Sequence, residues 1–358
     1  MNPSLVPPGV FLRELPDPWL PARASGSRSA HGAAARARRV QAFLVPLQRA
    51  AAARFALHGH NELWVLGSDD WARVTRAPYG WPFTRTRATP ASAALAAGPT
   101  TAIIMAAEVP GRLVKRFEPV LLAAARAGVL PPRAGAATVA PAAGGAATLE
   151  EAPLARADAR ELLDLVVGHE WGHAFAVAAG LRTRVKWLDE LVATTAFLAA
   201  LDELGAVETR RRFLAWAEVQ VAGGGAATGV ERPRHARRPS AGPDPRARSD
   251  PNPRARSDPD PRARSDPELP RRDLGAFETP RGRLRLPELA WFQGVFAQRA
   301  DTLVAADGWG FLERLRWALE DVDTGRGRDA RGEVARALVK VEPSFRAWFR
   351  TFGDATSR

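Results

Sequence analysis

The sequence predicts an α+β fold in which a small sheet is followed by a helical segment. Between about residues 55 and 110, short runs of β-forming residues alternate with turn residues such as Gly, Pro and Asp. Helical periodicity dominates from about residue 158 to residue 221, and it returns after residue 283. With 358 residues, of which 46% are hydrophobic and 25% charged, the chain can bury one large core or two modest ones.

Composition divides the chain into four segments. Residues 1–40 contain six prolines and then a run rich in Ser, Ala and Arg, which predicts a flexible leader. We predict a folded domain over 41–221, a linker over 222–282 and a C-terminal helical subdomain over 283–358. The folded domain opens with a helix whose pattern extends from Val40 to Arg54.

The linker contains an eight-residue unit that occurs three times, as PRARSDPN at 245–252, PRARSDPD at 253–260 and PRARSDPE at 261–268. A proline every few residues is incompatible with a helix or a central strand. The unit also has no apolar side chain large enough to build a core. We therefore predict that residues 222–282 are disordered.

The net charge of +12 is concentrated in these two low-complexity segments. Residues 1–40 carry a net charge of +4 and residues 231–272 carry +5, so only about +3 belongs to the rest of the chain. Because the predicted folded parts carry so little of the positive charge, we expect no specific nucleic-acid partner. An arginine-rich protein that binds nucleic acid through these segments stays an alternative, with salt-sensitive and sequence-blind binding.

The predicted sheet and helices have clear boundary residues. Three β-type runs make up the sheet: Leu63–Leu66, Phe83–Thr89 and Thr100–Ala106. A helix over Phe117–Ala127 and a loop over Pro131–Thr148 follow. Further helices are predicted, and each begins at a cap-like residue or ends at a glycine or a polar segment. They are Asp158–Ala179, Leu188–Leu204, Arg210–Val221, Leu289–Ala306, Trp309–Leu319, Arg331–Val339 and Ser344–Phe352.

The segment His169-Glu170-Trp171-Gly172-His173 is an H-E-x-x-H motif inside a predicted helix. Spacing of i and i+4 places the two imidazoles on one helix face, which suits two ligands of one tetrahedral zinc ion. Glu170 lies beside them and is the candidate general base for a water activated by the metal. Apolar neighbours predict that the helix is buried, and buried His and Glu without a partner would be costly. We therefore predict metal binding by His169 and His173.

A third protein ligand is needed. The segment Trp187-Leu188-Asp189-Glu190-Leu191-Val192-Ala193 follows the motif, and its Glu190 lies seventeen residues after His173. A helix, loop and helix of this length can fold back antiparallel and bring Glu190 to the two histidines. The pair HEWGH and WLDELVATT resembles the gluzincin metallopeptidases of the MA clan, particularly the aminopeptidase-like group. That group has HExxH, a gap of similar length, then W-L-x-E-G-x-A. By this resemblance Glu190 is the third zinc ligand.

The resemblance is close over about residues 160–200 and implies a zincin-like catalytic domain over 41–221. It implies a zinc metallopeptidase that hydrolyses peptide bonds, with a C-terminal helical part closing over the cleft. In such enzymes the substrate backbone commonly adds to an edge strand above the zinc helix, and either Tyr79–Thr86 or Thr100–Ala107 could be that strand. The expected partner is a peptide or protein substrate.

The chain departs from the family pattern at two points. Leu191 stands where the family has glycine after the glutamate. The family also uses a downstream Tyr or His to stabilise the oxyanion, whereas Tyr79 is the chain's only tyrosine and lies upstream. Tyr79 is the candidate oxyanion stabiliser, and Arg283 or Arg285 are alternatives. A catalytically degenerate zinc-binding protein is therefore the second functional hypothesis.

Other polar residues near the motif have simpler interpretations. We interpret Asp189 as a charge at a helix N-terminus rather than a ligand, and Thr194 as a packing residue with a possible role beside the ligands. His58 and His60 are interpreted as surface residues. The chain has no cysteine, hence no disulfide, and its N-terminus lacks the charged start and apolar core of a signal peptide. No apolar stretch reaches the roughly 20 residues of a membrane span, so we expect a cytoplasmic protein.

Overall fold

A computed structural model of the chain has a mixed α+β fold that is mostly helical. It describes residues 10–11, 22–25, 30–87, 99–111, 113–114, 151–226, 274–278, 286–320, 322 and 330–352. The predicted helix over 117–127, the loop over 131–148 and the three octapeptide repeats lie outside these residues. Within the described ranges no helix combines the length and apolar character needed to cross a membrane.

The described residues include five strands: β1 (Val10–Phe11), β2 (Ala22–Ser25), β3 (His60–Leu66), β4 (Phe83–Arg87) and β5 (Thr100–Ala106). They form one sheet in the order β1-β2-β3-β5-β4. Strands β2, β3 and β5 are mutually parallel neighbours, whereas β4 runs antiparallel to β5 and lies at one edge. The three predicted runs correspond to β3, β4 and β5, and two short strands from the leader extend the sheet.

Both faces of the central strands are covered. Along β3, Leu63 and Val65 belong to the main core beneath the helices, whereas Trp64 and Leu66 belong to a second apolar cluster with Trp71 on the opposite face. Strand alternation explains this division, because successive side chains point to opposite sides of a sheet. The continuous apolar run of β3 is therefore the signature of a strand buried on both faces.

Ten helices lie in the described ranges. They are α1 (Ala30–Ala52), α2 (Ser68–Val74), α3 (Glu151–Ala178), α4 (Lys186–Glu203), α5 (Val207–Ala226), α6 (Leu274–Phe277), α7 (Leu286–Asp307), α8 (Gly310–Glu320), α9 (Ala330–Val341) and α10 (Phe345–Arg350).

Helix α1 begins ten residues before its predicted start at Val40, inside the segment predicted to be a flexible leader. Its first turns bury Ala33 and Ala37 in the main core, and alanine is too small to give a clear periodic signal in the sequence. Arg36, only 4% exposed, donates to the Asp164 carboxylate of α3 at 2.9 Å. A partly buried ion pair across two helices fixes this turn, and sequence patterns do not reveal such a partner.

Helices occupy both ends of the segment predicted to be a linker. Helix α5 continues to Ala226, past the predicted boundary at residue 222. Near the other end, α6 buries Leu274 and Phe277 in the main core. Glu278, just after α6, accepts a hydrogen bond from the backbone N–H of Trp187 in the first turn of α4. The chain after the repeats therefore returns to the start of the helix that carries Glu190.

The C-terminal helices share one continuous core with the rest of the fold. Trp187 of α4 packs against Trp348 and Phe349 of α10, with ring centroids 6.2 and 5.6 Å apart. Trp309 packs against Phe55 and Phe175, with centroids 5.7 and 5.5 Å apart. Aromatic burial of this size contributes a large part of the hydrophobic free energy of folding. The predicted C-terminal subdomain is thus packed directly on the helices of the motif.

Candidate metal centre

The H-E-x-x-H motif lies in the buried half of α3. His169 and Glu170 are 7% and 8% exposed, and His173 is only partly exposed. The two imidazole rings lie one helical turn apart, with centroids separated by 4.8 Å and planes at 83°. One ligand atom from each of His169, Glu170 and His173 lies within 4.8 Å of the others. The helix thus presents three potential metal-binding groups at one place, as the i, i+4 spacing predicts.

Glu190 of α4 faces both histidines. Its Oε2 lies 3.1 Å from Nε2 of His169 and 3.6 Å from Nε2 of His173. For a tetrahedral metal with bonds of about 2.0–2.1 Å, ligand atoms lie roughly 3.3 Å apart, and the two observed distances bracket that value. The side chains of two antiparallel helices therefore converge as ligands of one small ion would.

Thr194, one turn after Glu190 on α4, fixes the His169 ring. Its Oγ1 lies 3.1 Å from Nδ1 of His169 and donates to the Glu190 carbonyl oxygen at 2.8 Å. Because the hydroxyl has a single proton, which is used on that carbonyl, it accepts from Nδ1–H of the imidazole. In this arrangement Nε2, the nitrogen that faces the Glu190 carboxylate, is the one available to bind a metal ion.

Glu170 is held by the edge strand of the sheet. The Thr84 hydroxyl of β4 donates to Glu170, with Oγ1 2.8 Å from the carboxylate Oε2 and 2.7 Å from the carbonyl oxygen, so the two acceptors share its single proton. Register explains the contact, because Thr84 pairs with Ile103, whose side chain belongs to the core on the helix face. Burial raises the pKa of the Glu170 carboxyl, and Glu190 acts in the same direction, against the two histidines and Thr84.

Two glycines allow α3 and α4 to approach closely. A Cβ added at Gly172 would lie 2.1 Å from the carbonyl oxygen of Ala193, and one at Gly168 would lie 2.4 Å from the Phe197 ring. The contact at Gly172 is with backbone, which cannot rotate away. The glycine inside the motif therefore sets the helix separation that lets Glu190 reach both histidines.

We expect Gly172→Ala to weaken metal binding by the cluster and to destabilise the fold by about 1–3 kcal/mol, because the new methyl group forces α4 away from α3. Gly294→Ala is the matched control, because its methyl group would crowd the Ala217 carbonyl of α5 against α7 and would not affect the contact between α3 and α4. Thermal unfolding and zinc titration of both variants test this. Unchanged zinc affinity in a folded Gly172→Ala protein would contradict the role given to this glycine.

The affinity of this cluster for a metal ion is expected to rise with pH. Burial alone would lower the pKa of His173, but the Glu190 carboxylate outweighs burial and raises the pKa to about 9 in the metal-free protein. His173 is therefore protonated at pH 7, and it must lose that proton to bind a metal. We expect the apparent affinity to increase about tenfold per pH unit from pH 7 towards 9, then to level off. Competition titration with a chelator at several pH values measures it, and a flat profile would contradict the assignment of His173.

The remaining candidate residues lie in other surroundings. Asp189 accepts hydrogen bonds from the Thr183 backbone N–H and hydroxyl, at 2.8 and 3.1 Å, at the start of α4. Burial raises the pKa of Asp189 to about 6. His58 and His60 are exposed, and His60 begins β3.

Of the candidate oxyanion stabilisers, the structure describes only Tyr79. Tyr79 packs edge-on against Trp71, with centroids 5.4 Å apart, in the apolar cluster on the sheet face away from α3. Burial raises the pKa of Tyr79. Arg283 and Arg285 lie outside the described residues. The oxyanion role of each stays a prediction.

A pocket adjoins the cluster and contains residues that the sequence patterns did not reveal. It is lined by His169, Glu170 and Thr194 on one side and by α5 and α7 on the other, with Trp81 and Val166 completing the wall. The residues contributed by α5 and α7 are Phe213, Trp216, Ala217, Gln220, Gln293 and Ala297. In the sequence, Thr84 is one polar residue of a β-type run and Gln220 is one polar residue of a helical pattern. Only their tertiary contacts show that they lie near the histidines.

Comparisons of the chain with protein-family models, with curated proteins and with solved structures found no match. The functional proposal therefore depends on the geometry of the site and on the motif.

Proposed function

We propose that this protein is a zinc-dependent metallopeptidase with a zincin-like fold. His169, His173 and Glu190 would hold the metal, and Glu170 would act as the general base. The observation that carries the proposal is the convergence of these side chains from two helices, with Glu190 Oε2 3.1 and 3.6 Å from the histidine nitrogens. Two nitrogens and a carboxylate oxygen are ligands that zinc accepts at catalytic sites.

Zinc at this position would supply Lewis-acid chemistry, polarising a carbonyl and making a water molecule more acidic. The chain supplies the proton transfers. Glu170 takes a proton from the attacking water and gives it to the leaving amine, and its raised pKa suits a group that must do both. The hydrogen bond from Thr84 holds Oε2 of the Glu170 carboxylate against β4. Oε1 of the same carboxylate is then the oxygen that takes the proton from the attacking water.

We assign the substrate backbone to the edge of β4. In the described part of the chain, β5 is hydrogen-bonded to β3 on one side and to β4 on the other, so it has no free edge. Among the described strands β4 pairs with β5 alone, and its outer edge can take an extended peptide. Because Thr84 contacts Glu170 from this strand, a peptide along β4 would pass next to the proposed base.

Thr84→Val is expected to lower kcat by about tenfold with little change in zinc content, because it removes the hydroxyl that positions Glu170 and keeps the side-chain shape. Thr84→Ser keeps the donor and is expected to retain most activity. Steady-state kinetics and metal analysis of both variants test this. Equal losses in the two variants would point to a packing defect at β4 instead.

A second candidate function is a zinc-binding protein of the same architecture without hydrolytic activity. The location of Tyr79 favours it, because the chain's only tyrosine packs on the sheet face away from the histidines. Loss of a preorganised oxyanion donor can remove about 3–4 kcal/mol of transition-state stabilisation.

A peptide-library assay of the zinc-loaded protein separates the two candidates. Metallopeptidase activity predicts discrete cleavage products that disappear when zinc is removed by a chelator and return when zinc is added. One zinc per chain with no cleavage in any library would favour the second candidate. Absence of bound zinc at neutral pH would contradict both.

A further inference from the structure

The pocket beside the metal centre contains a buried amide with an unmet hydrogen-bonding requirement. Gln220 of α5 is 7% exposed, and its Oε1 is buried without a hydrogen-bond partner. A buried polar atom left unpaired costs free energy, so one that lines a pocket points to a molecule in that pocket, either water or a ligand that displaces it, which supplies the missing bond. Gln220 lines the same pocket as His169 and Glu170.

The rest of the pocket wall is uncharged away from the metal-binding groups. Trp81, Phe213 and Trp216 supply aromatic surface, and Val166, Ala217 and Ala297 supply aliphatic surface. Gln293 is the other amide in the wall. A charged side chain of a substrate would lose its hydration here without meeting an opposite charge on α5 or α7, which is unfavourable. The wall therefore selects a neutral group with both apolar surface and a polar end.

We propose that this pocket is the specificity pocket for a substrate side chain that ends in a hydroxyl or a carboxamide, with Gln220 as the residue that recognises it. Such groups both donate and accept hydrogen bonds, so they satisfy the Gln220 amide in either orientation of its oxygen and nitrogen. Threonine and asparagine side chains fit this description, whereas valine and leucine have similar shapes and no polar end. The inference rests on the proposed peptidase function, and measuring the binding of small probes tests it independently of peptide cleavage.

The test measures binding of small probes to the full-length chain, with and without zinc. The probes are the N-acetyl amides of threonine, valine, asparagine and leucine, used as two pairs of similar shape. Isothermal titration is expected to give about tenfold to hundredfold tighter binding for threonine over valine and for asparagine over leucine. Gln220→Met should remove this difference. Gln41→Met is the matched control, because Gln41 is a buried glutamine of α1 outside the pocket wall, and it should keep the difference.

A second readout needs no variant. The side-chain amide resonances of Gln220 and Gln293 in ¹⁵N-labelled protein should shift on addition of the threonine probe and much less on addition of the valine probe. Equal binding of the paired probes, no binding of any probe, or discrimination that persists in a folded Gln220→Met protein would overturn the proposal. A protein that discriminates the probes but cleaves no peptide would contradict the peptidase function alone. Cleavage without preference for these side chains would contradict the pocket assignment alone.

Discussion

Glu170→Gln is expected to abolish peptide hydrolysis, with kcat reduced by about a hundredfold to ten-thousandfold, while zinc content stays unchanged. The amide has the size of the carboxylate and can still accept the Thr84 hydrogen bond through its oxygen. It cannot take a proton from water, so the proposed general base is lost. Because the proposed ligands are His169, His173 and Glu190, the affinity for the metal should not change.

The control for this substitution is Glu161→Gln, which makes the same chemical change at an exposed position of the same helix. It should leave both activity and zinc content at the level of the unmodified protein. Steady-state kinetics on a peptide identified from a library, together with metal analysis, measures both quantities. Full activity in the Glu170→Gln protein would show that another group takes the proton.

Losing a group that only hydrogen-bonds a metal ligand typically weakens metal binding by about 10- to 100-fold. Removing any one of the three proposed ligands is expected to weaken zinc binding by more than this. His169→Ala and His173→Ala each remove a nitrogen, and Glu190→Gln replaces a charged oxygen ligand with a neutral one. Thr194→Val is expected to have the smaller, 10- to 100-fold effect, because it removes only the hydrogen bond that orients His169.

The control for the ligand series is His58→Ala, an exposed histidine away from the cluster. Its zinc affinity should equal that of the unmodified chain. Chelator competition gives the dissociation constants, and circular dichroism verifies that each variant is folded. A Glu190→Gln protein with unchanged affinity would exclude Glu190 as the third ligand.

The elements that carry the site could be predicted because local signals define them. The i, i+4 histidines and the apolar residues around them predict a buried helix, and α3 and α4 are both present. Helix α3 begins at Glu151, however, seven residues before the predicted cap at Asp158. Gly180 and Gly205, predicted to end helices, have φ of +73° and +62°, the left-handed conformation that favours glycine. The alternating and continuous apolar runs likewise predict β3, β4 and β5.

What could not be predicted depends on partners distant in sequence. The start of α1 is fixed by Arg36 and Asp164, which are 128 residues apart. The contact of Thr84 with Glu170 follows from the non-sequential strand order, in which β5 lies between β3 and β4. We expected Thr194 to have mainly a packing role, and its bond to His169 depends on the helix separation that Gly172 allows.

The central claim is that His169, His173 and Glu190 bind one metal ion. Anomalous diffraction at the zinc absorption edge from crystals of the zinc-loaded protein tests it most directly. We predict a single strong peak within about 2.0–2.2 Å of the Nε2 atoms of both histidines and of a Glu190 carboxylate oxygen. A peak elsewhere in the chain, or a zinc ion bound by the histidines with the Glu190 side chain turned away from it, would contradict the account.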